Sequence, residues 1–299
     1  MSIVVYQDVA TPIVPIEGMA GRVRDALGGA LRSMRYVTPD FAGLYQDAAG
    51  TTPVTAVGQP VGLMLDRRFG LARGPELITN GSFSTDTGWT VSGSASWSPG
   101  RYTIADVGGT DGRISQTLAI PANTPVEVTV TILETTATTS AGLRVYLGPT
   151  GNYISLGLAA PGVHKGIIQT ATANPILGLL SSQTDTSATF TSVSVRELPG
   201  NHASQPTTTA RPTLRSGPLR IDYDGVDDYL RTVFPALGSN VTIARSIPGE
   251  GAQILTGQTI AAGNWDDNVD SCATLVIDRA LTGPEQALVT AFLNQQAGV

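Results

Sequence analysis

The stretch PVEVTVTILE, from Pro125 to Glu134, decides the fold class of this 299-residue chain. Apolar side chains recur at every second position, namely Val126, Val128, Val130 and Ile132. The positions between them carry Glu and Thr as far as Thr131. A period of two is that of a β-strand with one buried face. This stretch therefore predicts a strand in a sheet that is covered on one side.

The same pattern continues between Glu76 and Glu197. The segment GLRVYLG places Leu143, Val145 and Leu147 inward, and ATFTSVSVRE does so with Phe190, Val193 and Val195. In the second segment the alternation slips by one residue near Ser192, which predicts a β-bulge. Turns rich in Gly, Asn and Pro separate these strands, as in an antiparallel sandwich.

Helical spacing appears near the N-terminus, in PIEGMAGRVRDALGGALRSM. The apolar positions are three and four residues apart and comprise Ile16, Ala20, Val23, Leu27, Ala30 and Met34. Four glycines weaken the helix, so it needs a surface to pack on. Two interpretations stay open: the helix packs on its own domain, or it assembles with other copies or a partner.

The C-terminal part predicts short strands followed by a second helix. Apolar segments at 241–244 and 273–277 are typical of strands, as are those at 44–45 and 61–65 after the first helix, and residues 199–218 read as a linker or strap. Thr282 and Glu285 form a capping box at the start of the helix. The buried stripe is predicted to comprise Ala287, Leu288, Ala291 and Phe292. Gly298 ends the helix.

Composition excludes several classes of function. The net charge of −6 argues against a nucleic-acid partner, which requires a basic surface. Cys272 is the single cysteine and His164 and His202 are the two histidines, so we expect no disulfide framework, metal or cofactor. The N-terminus lacks the features of a signal peptide, and no apolar run reaches membrane-spanning length. We therefore expect a soluble protein made in the cytoplasm.

Three segments carry a resemblance to a known family. LITNGSFSTDTGWT, GRISQTLAIPANTPVEVTVTI and ATFTSVSVREL resemble the jelly-roll carbohydrate-binding modules of polysaccharide-degrading enzymes and phage tail proteins. The resemblance covers residues 76–198. It implies that Phe83 and Trp89 plug a sandwich rather than form a sugar platform. The calcium ligands of the family are replaced here by Ser84 and by Thr191 or Ser192, so no calcium is expected.

A second resemblance involves the flanking sequence. LYQDAAGTTPVTAVGQPVGLMLD, NHASQPTTTARPTL and YDGVDDYL resemble a segment of phage structural proteins that leads into a concanavalin-like, laminin-G-type sandwich. The ending ATLVIDRALTGPEQALVTAFLNQQAGV is similar to the last strand and helix of those proteins. We thus expect a mainly β chain with a short N-terminal and a C-terminal helix.

The resemblances also predict how the chain is divided. Residues 1–36 form an N-terminal anchoring segment with the helix, and residues 37–72 and 199–299 form a small concanavalin-like β unit. Residues 73–198 form an antiparallel jelly-roll sandwich inserted into that unit.

Two groups of residues are candidates for ligand binding. The aromatic residues Trp97, Tyr102, Tyr146 and Tyr153 lie near predicted strand ends, where an exposed ring could stack on a sugar. The alternative for each is packing in the sandwich. The acidic run Asp222, Asp224, Asp227 and Asp228 is either a turn or a calcium site, although Gly225 comes too early for an EF-hand loop.

The sequence contains no catalytic motif. Glycoside hydrolysis uses two carboxylates across a cleft, but no motif contains any of Asp86, Asp106, Asp111, Glu127 and Glu134. A nucleophilic triad needs a histidine beside a Ser or Cys, whereas His164 and His202 read as surface residues in loops. We therefore expect no enzymatic activity.

The two resemblances together imply a bacteriophage virion structural protein made in the host cytoplasm. We expect a fibre or adhesin of the tail or baseplate that contacts the host surface through the jelly roll. The alternatives are a capsid decoration or head fibre protein without a ligand and, further off, a polysaccharide-active enzyme. Expected partners are other virion proteins, two further copies in a homotrimer and a host surface glycan, but neither nucleic acid nor a membrane.

Overall fold

The computed structural model describes residues 16–138, 142–148, 153–154 (main chain only), 160–182 and 185–299. Within them the chain is mainly β, with antiparallel sheets, one helix near the N-terminus and one at the C-terminus, so the predicted fold class is confirmed. The helices are α1 (Ile16–Leu27) and α2 (Gly283–Ala297), and the 3₁₀ turns are Gly28–Ala30 and Thr208–Ala210. In chain order the strands are β1 (Leu31–Tyr36), β2 (Leu44–Tyr45), β3 (Leu63–Met64), β4 (Thr90–Ser92), β5 (Ser94–Ser98), β6 (Arg101–Ala105), β7 (Arg113–Thr117), β8 (Pro125–Thr135), β9 (Leu143–Leu147), β10 (Tyr153–Ile154), β11 (Gly162–Gln169), β12 (Ile176–Ser181), β13 (Ser187–Glu197), β14 (Ala203–Ser204), β15 (Thr213–Arg215), β16 (Arg220–Asp222), β17 (Leu230–Phe234), β18 (Gly238–Ile247), β19 (Gly251–Ile260), β20 (Gly263–Asp267) and β21 (Ala273–Ile277).

Residues 73–198, which we call the jelly roll, contain two five-stranded sheets. Their strand orders are β11-β8-β13-β6-β5 and β10-β9-β12-β7-β4. The alternating residues of β8 face the space between the sheets, where they join those of β9, β12 and β13 in one hydrophobic cluster. The register of β13 against β8 shifts between Phe190 and Ser192, so the predicted bulge is confirmed. Strand alternation thus produces a sandwich with a single core.

The segment around Phe83 closes one end of this core. Phe83 is fully buried and packs on Trp89 and Tyr102, with ring centroids 5.5 and 5.2 Å away. The Trp89 indole N–H donates to the carbonyl of Asn80 at 3.1 Å. A Cβ on Gly81 would lie 2.1 Å from the carbonyl oxygen of Val193, so the Asn-Gly turn admits only glycine there. The prediction that Phe83 and Trp89 plug the sandwich is confirmed.

Residues 16–72 and 199–299, which we call the body, form three layers. Sheet A has the order β1-β21-β18-β19, and sheet B has the order β2-β3-β14-β17-β20. Helices α1 and α2 cover one face of sheet A through a cluster that includes Met34, Leu275 and Phe292. The other face of sheet A meets sheet B, with Val276 and Phe234 in contact.

A charged cluster lies between the two sheets of the body. Arg245 donates to Asp267 Oδ1 at 2.9 Å, and Arg35 donates to Asp267 Oδ2 at 3.4 Å. Both guanidinium groups also lie over the ring of Trp265, at 5.4 Å for Arg35 and 5.9 Å for Arg245. Asp267 and Arg35 are each 2 % exposed. Two buried cations therefore share one carboxylate.

The N-terminal helix is shorter than the spacing predicts. It ends at Leu27, and Gly28 adopts a positive φ of 48°. Met34, predicted on the helix, lies instead in β1 and pairs with Leu275 of β21. Ala30 lies in the 3₁₀ turn. The prediction of a helix extending to Met34 is wrong, because pairing with β21 takes over after the two glycines.

The predicted seam faces the chain's own body. Ala20, Val23 and Leu27 are buried in the cluster that contains Phe292 of α2, and Ile16 packs at its margin. Glu17 accepts from the Tyr36 hydroxyl at 2.8 Å and pairs with Arg67 at 3.1 Å, which fixes the start of α1. This arrangement corresponds to the first interpretation, a helix packed on its own domain.

Helix α2 begins and ends where the sequence predicts. Glu285 accepts from the Thr282 N–H at 2.8 Å, and Gly298 has a φ of 76°. The buried stripe differs from the prediction, since Ala287 and Ala291 are exposed. The buried residues are Val289, Phe292, Leu293, Gln296 and Ala297. Neither α1 nor α2, the helices of the described residues, combines the length and apolarity needed to cross a bilayer.

Candidate functional site

Tyr102, a predicted sugar contact, belongs to the core. Its side chain is 1 % exposed and packs edge-on against Phe83. Its hydroxyl donates to Asp86 Oδ1 at 2.8 Å. Burial, with a smaller effect from the Asp86 carboxylate, raises the pKa of Tyr102 to about 12. The prediction of a sugar contact is wrong for Tyr102, because no ring face is open to a ligand.

The other predicted aromatic contacts are also covered or lie outside the described side chains. Trp97 packs partly buried on the core, and its indole N–H donates to the Phe83 carbonyl at 2.9 Å. Tyr146 is 3 % exposed and lies across Gly178, so close that a Cβ there would be 2.0 Å from the ring. The Tyr153 side chain lies outside the described part. The buried position of Tyr146 contradicts a stacking role for its ring, while the Trp97 side chain is only partly buried.

The acidic run forms a turn that is stabilised by its own carboxylates. Asp224 Oδ1 accepts from the backbone N–H groups of Val226 at 2.9 Å and of Asp227 and Asp228 at 3.2 Å. These bonds lower the pKa of Asp224. Asp222 instead pairs with Arg215 and Arg220. Of the two alternatives, the acidic run thus adopts the turn.

The jelly roll joins the body through two chain crossings that run side by side. The Gly74 N–H donates to the carbonyl of Glu197 at 2.9 Å, and the Leu77 N–H donates to that of Val195 at 2.9 Å. Arg73, on the incoming crossing, forms an ion pair with Glu127 of β8 at 2.7 Å. The two covalent connections of the jelly roll to the body thus lie side by side, as expected for a domain inserted into a loop.

A small apolar contact supports this attachment. Ile167 of β11 packs with Leu63, Leu65 and Leu198, and its N–H donates to the carbonyl of Ala49 at 2.6 Å. A Cβ on Gly50 would lie 2.8 Å from Ile167, so the loop approaches the jelly roll closely. One side of β11 is therefore held against the outer face of sheet B.

His202 and Asp66 attach the outgoing crossing, which follows Glu197, to strand β1. The Asp66 N–H donates to His202 Nδ1 at 2.9 Å, and the other ring nitrogen lies 3.0 Å from the Leu198 carbonyl. Asp66 accepts backbone N–H groups from Met34 and Asn201 at 2.9 and 2.8 Å. Burial lowers the pKa of His202 to about 4, and it raises that of Asp66 against the effect of these hydrogen bonds. His202, predicted as a surface residue of a loop, is instead partly buried, and both of its ring nitrogens have hydrogen-bond partners in the fold.

His164 also differs from its prediction, because it lies in strand β11 rather than in a loop. Its Nε2 is 2.9 Å from the Ala160 carbonyl. The region from 199 to 218, predicted as a linker or strap, contains the short strands β14 and β15 and a 3₁₀ turn.

A cleft of about 650 Å³ opens between the jelly roll and the body. Its floor is the outer face of sheet B, where Ser204 pairs directly with Arg231 and Val233 follows on the same side. Ile167 and Gln169 of β11 form the facing wall, together with Asn123 and Pro125. The volume falls within the ~300–1,000 Å³ of ligand pockets, which occur preferentially between domains.

The polar groups of the cleft are held in fixed positions. Arg231 forms two parallel hydrogen bonds to Asp266, both 2.7 Å, and stacks on the ring of Tyr229 at 4.8 Å. The hydrogen bonds to Asp266 raise the pKa of Arg231. Across the cleft, the Gln169 side chain donates to the Asn123 carbonyl at 3.2 Å. The sequence does not predict this site, since its walls come from segments that are distant along the chain.

The comparisons with known proteins identify remote structural neighbours only. No protein-family model matches the chain, and no curated protein matches it significantly. The enzymatically active domain of a bacteriophage CBA120 tailspike is similar at a TM-score of 0.29 and 12% identity, over 41% of this chain and 21% of that one. A tandem of family 22 carbohydrate-binding modules from Paenibacillus barcinonensis has the same TM-score and identity, over 72% of this chain and 95% of that one. A β-1,2-glucanase from Parabacteroides distasonis has a TM-score of 0.26 and 14% identity, over 82% of this chain and 40% of that one. The chain thus spans about a fifth of the tailspike domain.

Proposed function

We propose that this chain is a structural protein of a bacteriophage particle that presents the jelly roll as an adhesive lobe at the tail or baseplate. The paired chain crossing at Gly74 and Glu197 is the observation that carries the proposal. It attaches a complete sandwich to a separate body, so that one part can serve assembly and the other contact. The sequence resemblance of both parts to phage structural proteins supports the assignment.

In this proposal the protein acts by binding and not by catalysis. The ionised side chains near the junction have structural partners: Glu127 pairs with Arg73 and lies 4.0 Å from Lys165. Many copies on one particle would raise the avidity of a weak surface contact. A homotrimer, the expected assembly, would supply three such contacts on one axis.

Gold-labelled antibody on intact particles, viewed by electron microscopy, tests the location. Label at the tail tip or baseplate is expected, together with retention of the purified protein on host cells. Sedimentation of the purified protein tests the trimer, and a stable monomer at high concentration would argue against it. Absence of label from every particle would remove the proposal.

Capsid decoration is the second candidate, and the packing of the aromatic residues favours it. Tyr102 and Tyr146 are buried and Trp97 is half-covered, so no aromatic platform stands ready for a sugar among these three residues. A decoration protein would give label over the head and no retention on host cells.

A further inference from the structure

The cleft between the jelly roll and the body has the composition of a ligand site. Its floor carries Arg231, Ser204 and Val233, and its wall carries Gln169 and Ile167. Val233 is 52 % exposed although it lies mid-strand, so the floor offers an open apolar surface beside polar groups. Pro125 adds apolar surface on the wall, whereas Ile167 is 8% exposed and mainly holds the wall in place.

Arg231 is prepared to donate hydrogen bonds. A guanidinium group has five N–H donors, and Asp266 engages Nε and Nη2. Nη1 has no acceptor within the described part of the chain. The ion pair and the stacking on Tyr229 fix the side chain in advance, so a ligand would lose little of its binding energy to ordering it.

The cleft carries no net charge to attract an anion. Arg231 is the charged residue among its lining residues in the described structure, and Asp266 neutralises it. The remaining polar side chains of the lining are amides, the hydroxyl of Ser204 and the imidazole of His202, which is neutral because burial lowers its pKa to about 4. The whole chain has a formal charge of −6, so its field repels anionic polymers.

We infer that this cleft binds an uncharged saccharide. This inference rests on the proposed adhesive function and places the contact with the host surface in the cleft. A pyranose ring has hydroxyl groups that both donate and accept, and apolar faces of C–H groups. The hydroxyl groups match the Arg231–Asp266 pair, Ser204 and the Gln169 amide. The apolar faces match Val233 and Pro125. The contact therefore lies at the junction of the two parts, away from the predicted aromatic residues.

The test uses the full chain on an array of uncharged and carboxylate-bearing oligosaccharides, followed by titration calorimetry with the uncharged sugar that is retained best. Binding is expected for uncharged sugars, with an affinity that changes less than about twofold between about 0.05 and 0.5 M salt, because no net charge is screened. Preference for the carboxylate-bearing sugars, strong salt dependence, or retention of no sugar would each overturn the inference.

Two variants on opposite sides of the cleft localise the binding. Arg231→Ala is expected to weaken it about tenfold or more, the usual effect of losing a hydrogen bond from a charged donor. Gln169→Ala, in an exposed position on the wall, is expected to weaken it a few-fold. Arg215→Ala and Gln253→Ala are the matched controls, an exposed ion-paired arginine and an exposed strand glutamine outside the cleft. Thermal melting of each variant verifies folding, and unchanged binding by both cleft variants would reject the site.

The two proposals fail in different ways. Label at the tail together with host-cell retention that the cleft variants do not alter would leave the adhesive function and remove the cleft. Sugar binding in the cleft without label on any particle would remove the phage function and leave the site.

Discussion

At the scale of single residues, Asp267 is the shared counter-ion of two buried arginines. The interior between sheets A and B holds the guanidinium groups of Arg35 and Arg245, and Asp267 is the carboxylate that contacts both. Removing one partner of a buried ion pair leaves a charge that neither water nor protein compensates. The Trp265 ring offsets part of this cost through its contacts with both cations.

We expect Asp267→Asn to lower the free energy of unfolding by ~3–5 kcal/mol, because two buried cations lose their counter-ion while the side-chain volume stays nearly the same. Urea denaturation measures the change. Asp266→Asn is the matched control. Asp266 is the next residue along the chain, but it pairs with Arg231 at the surface and its side chain is 40% exposed. The control should lose no more than ~1 kcal/mol. Equal losses in the two variants would contradict the role of Asp267.

His202 should make stability depend on pH. The folded state holds this ring neutral, with a pKa of about 4 against an ordinary value of 6.5, so the unfolded chain takes up the proton first. The stabilisation is complete above pH 6.5 and is lost as pH falls towards 4. At 1.36 kcal/mol per pKa unit it amounts to ~3 kcal/mol at most.

The measurement is the free energy of unfolding in urea at several values of pH between 7 and 4 in wild type and His202→Gln. The difference between the two curves should narrow as pH falls, because the variant lacks the titrating ring. His164→Gln, which changes the histidine of β11, is the control for the exchange of a histidine by glutamine elsewhere in the chain. A constant difference between wild type and His202→Gln would show that His202 does not titrate as its burial requires.

At the scale of elements, the sequence predicts the strands and helices whose hydrophobic pattern corresponds to their buried and exposed faces. Strand β8 alternates because one of its faces lies in the core, and the slip in the alternation of β13 beside Ser192 marks its bulge. The seam of α1 misleads, since apolar spacing continues past Gly28 into β1, where all side chains from Ser33 to Tyr36 are buried. A strand buried on both faces loses its period of two, so only its pairing with β21 identifies it.

Strands β19 and β20 escape prediction for a different reason. They form the open edge of the body, so their side chains alternate only in part between core and solvent. Gly257 adopts a φ of 66° beside a register shift, which interrupts the pattern further. Edge strands of this kind carry a weak sequence signal.

The packing of α1 on α2 predicts how its seam responds to substitution. Leu27→Ala removes a side chain that is 3 % exposed and should lower the free energy of unfolding by ~2–5 kcal/mol. Arg22→Ala, on the exposed side of the helix, should change it by less than ~0.5 kcal/mol. Chemical denaturation and sedimentation velocity are measured together. A helix that assembled with other copies would instead show a changed sedimentation coefficient with unaltered monomer stability.

At the scale of the whole molecule, the resemblances divide the chain where the two crossings meet, but they do not predict what lies between the parts. Arg231 and Gln169 come from different parts, and neither belongs to a motif. The cleft exists because Ile167 packs beside Leu63 and leaves the rest of the outer face of sheet B uncovered. The sequence therefore predicts the two parts and not their junction. The exposed aromatic platform expected from ring positions near strand ends is wrong for Tyr102 and Tyr146 because both rings are needed for packing.

The paired crossing predicts that the jelly roll can be excised. Gly74 and Glu197 are joined by a backbone hydrogen bond of 2.9 Å, so a two-residue Gly-Ser linker can replace residues 75–196 without straining the body. The excised sandwich retains its own hydrophobic cluster and should fold alone. The body should also fold, but with a lower melting temperature, because Leu63 and Leu65 lose the cover of Ile167.

Amide NMR spectra of the two pieces test this directly. Their peaks should superimpose on those of the whole chain except near the cleft and the Ile167 contact. Ile167→Ala in the intact chain is the control: it loosens the same contact without cutting the chain, and should shift the same peaks. An unfolded body piece would mean that the jelly roll is an integral part of its core, and the lobe on which the adhesive function rests would not be a separate unit.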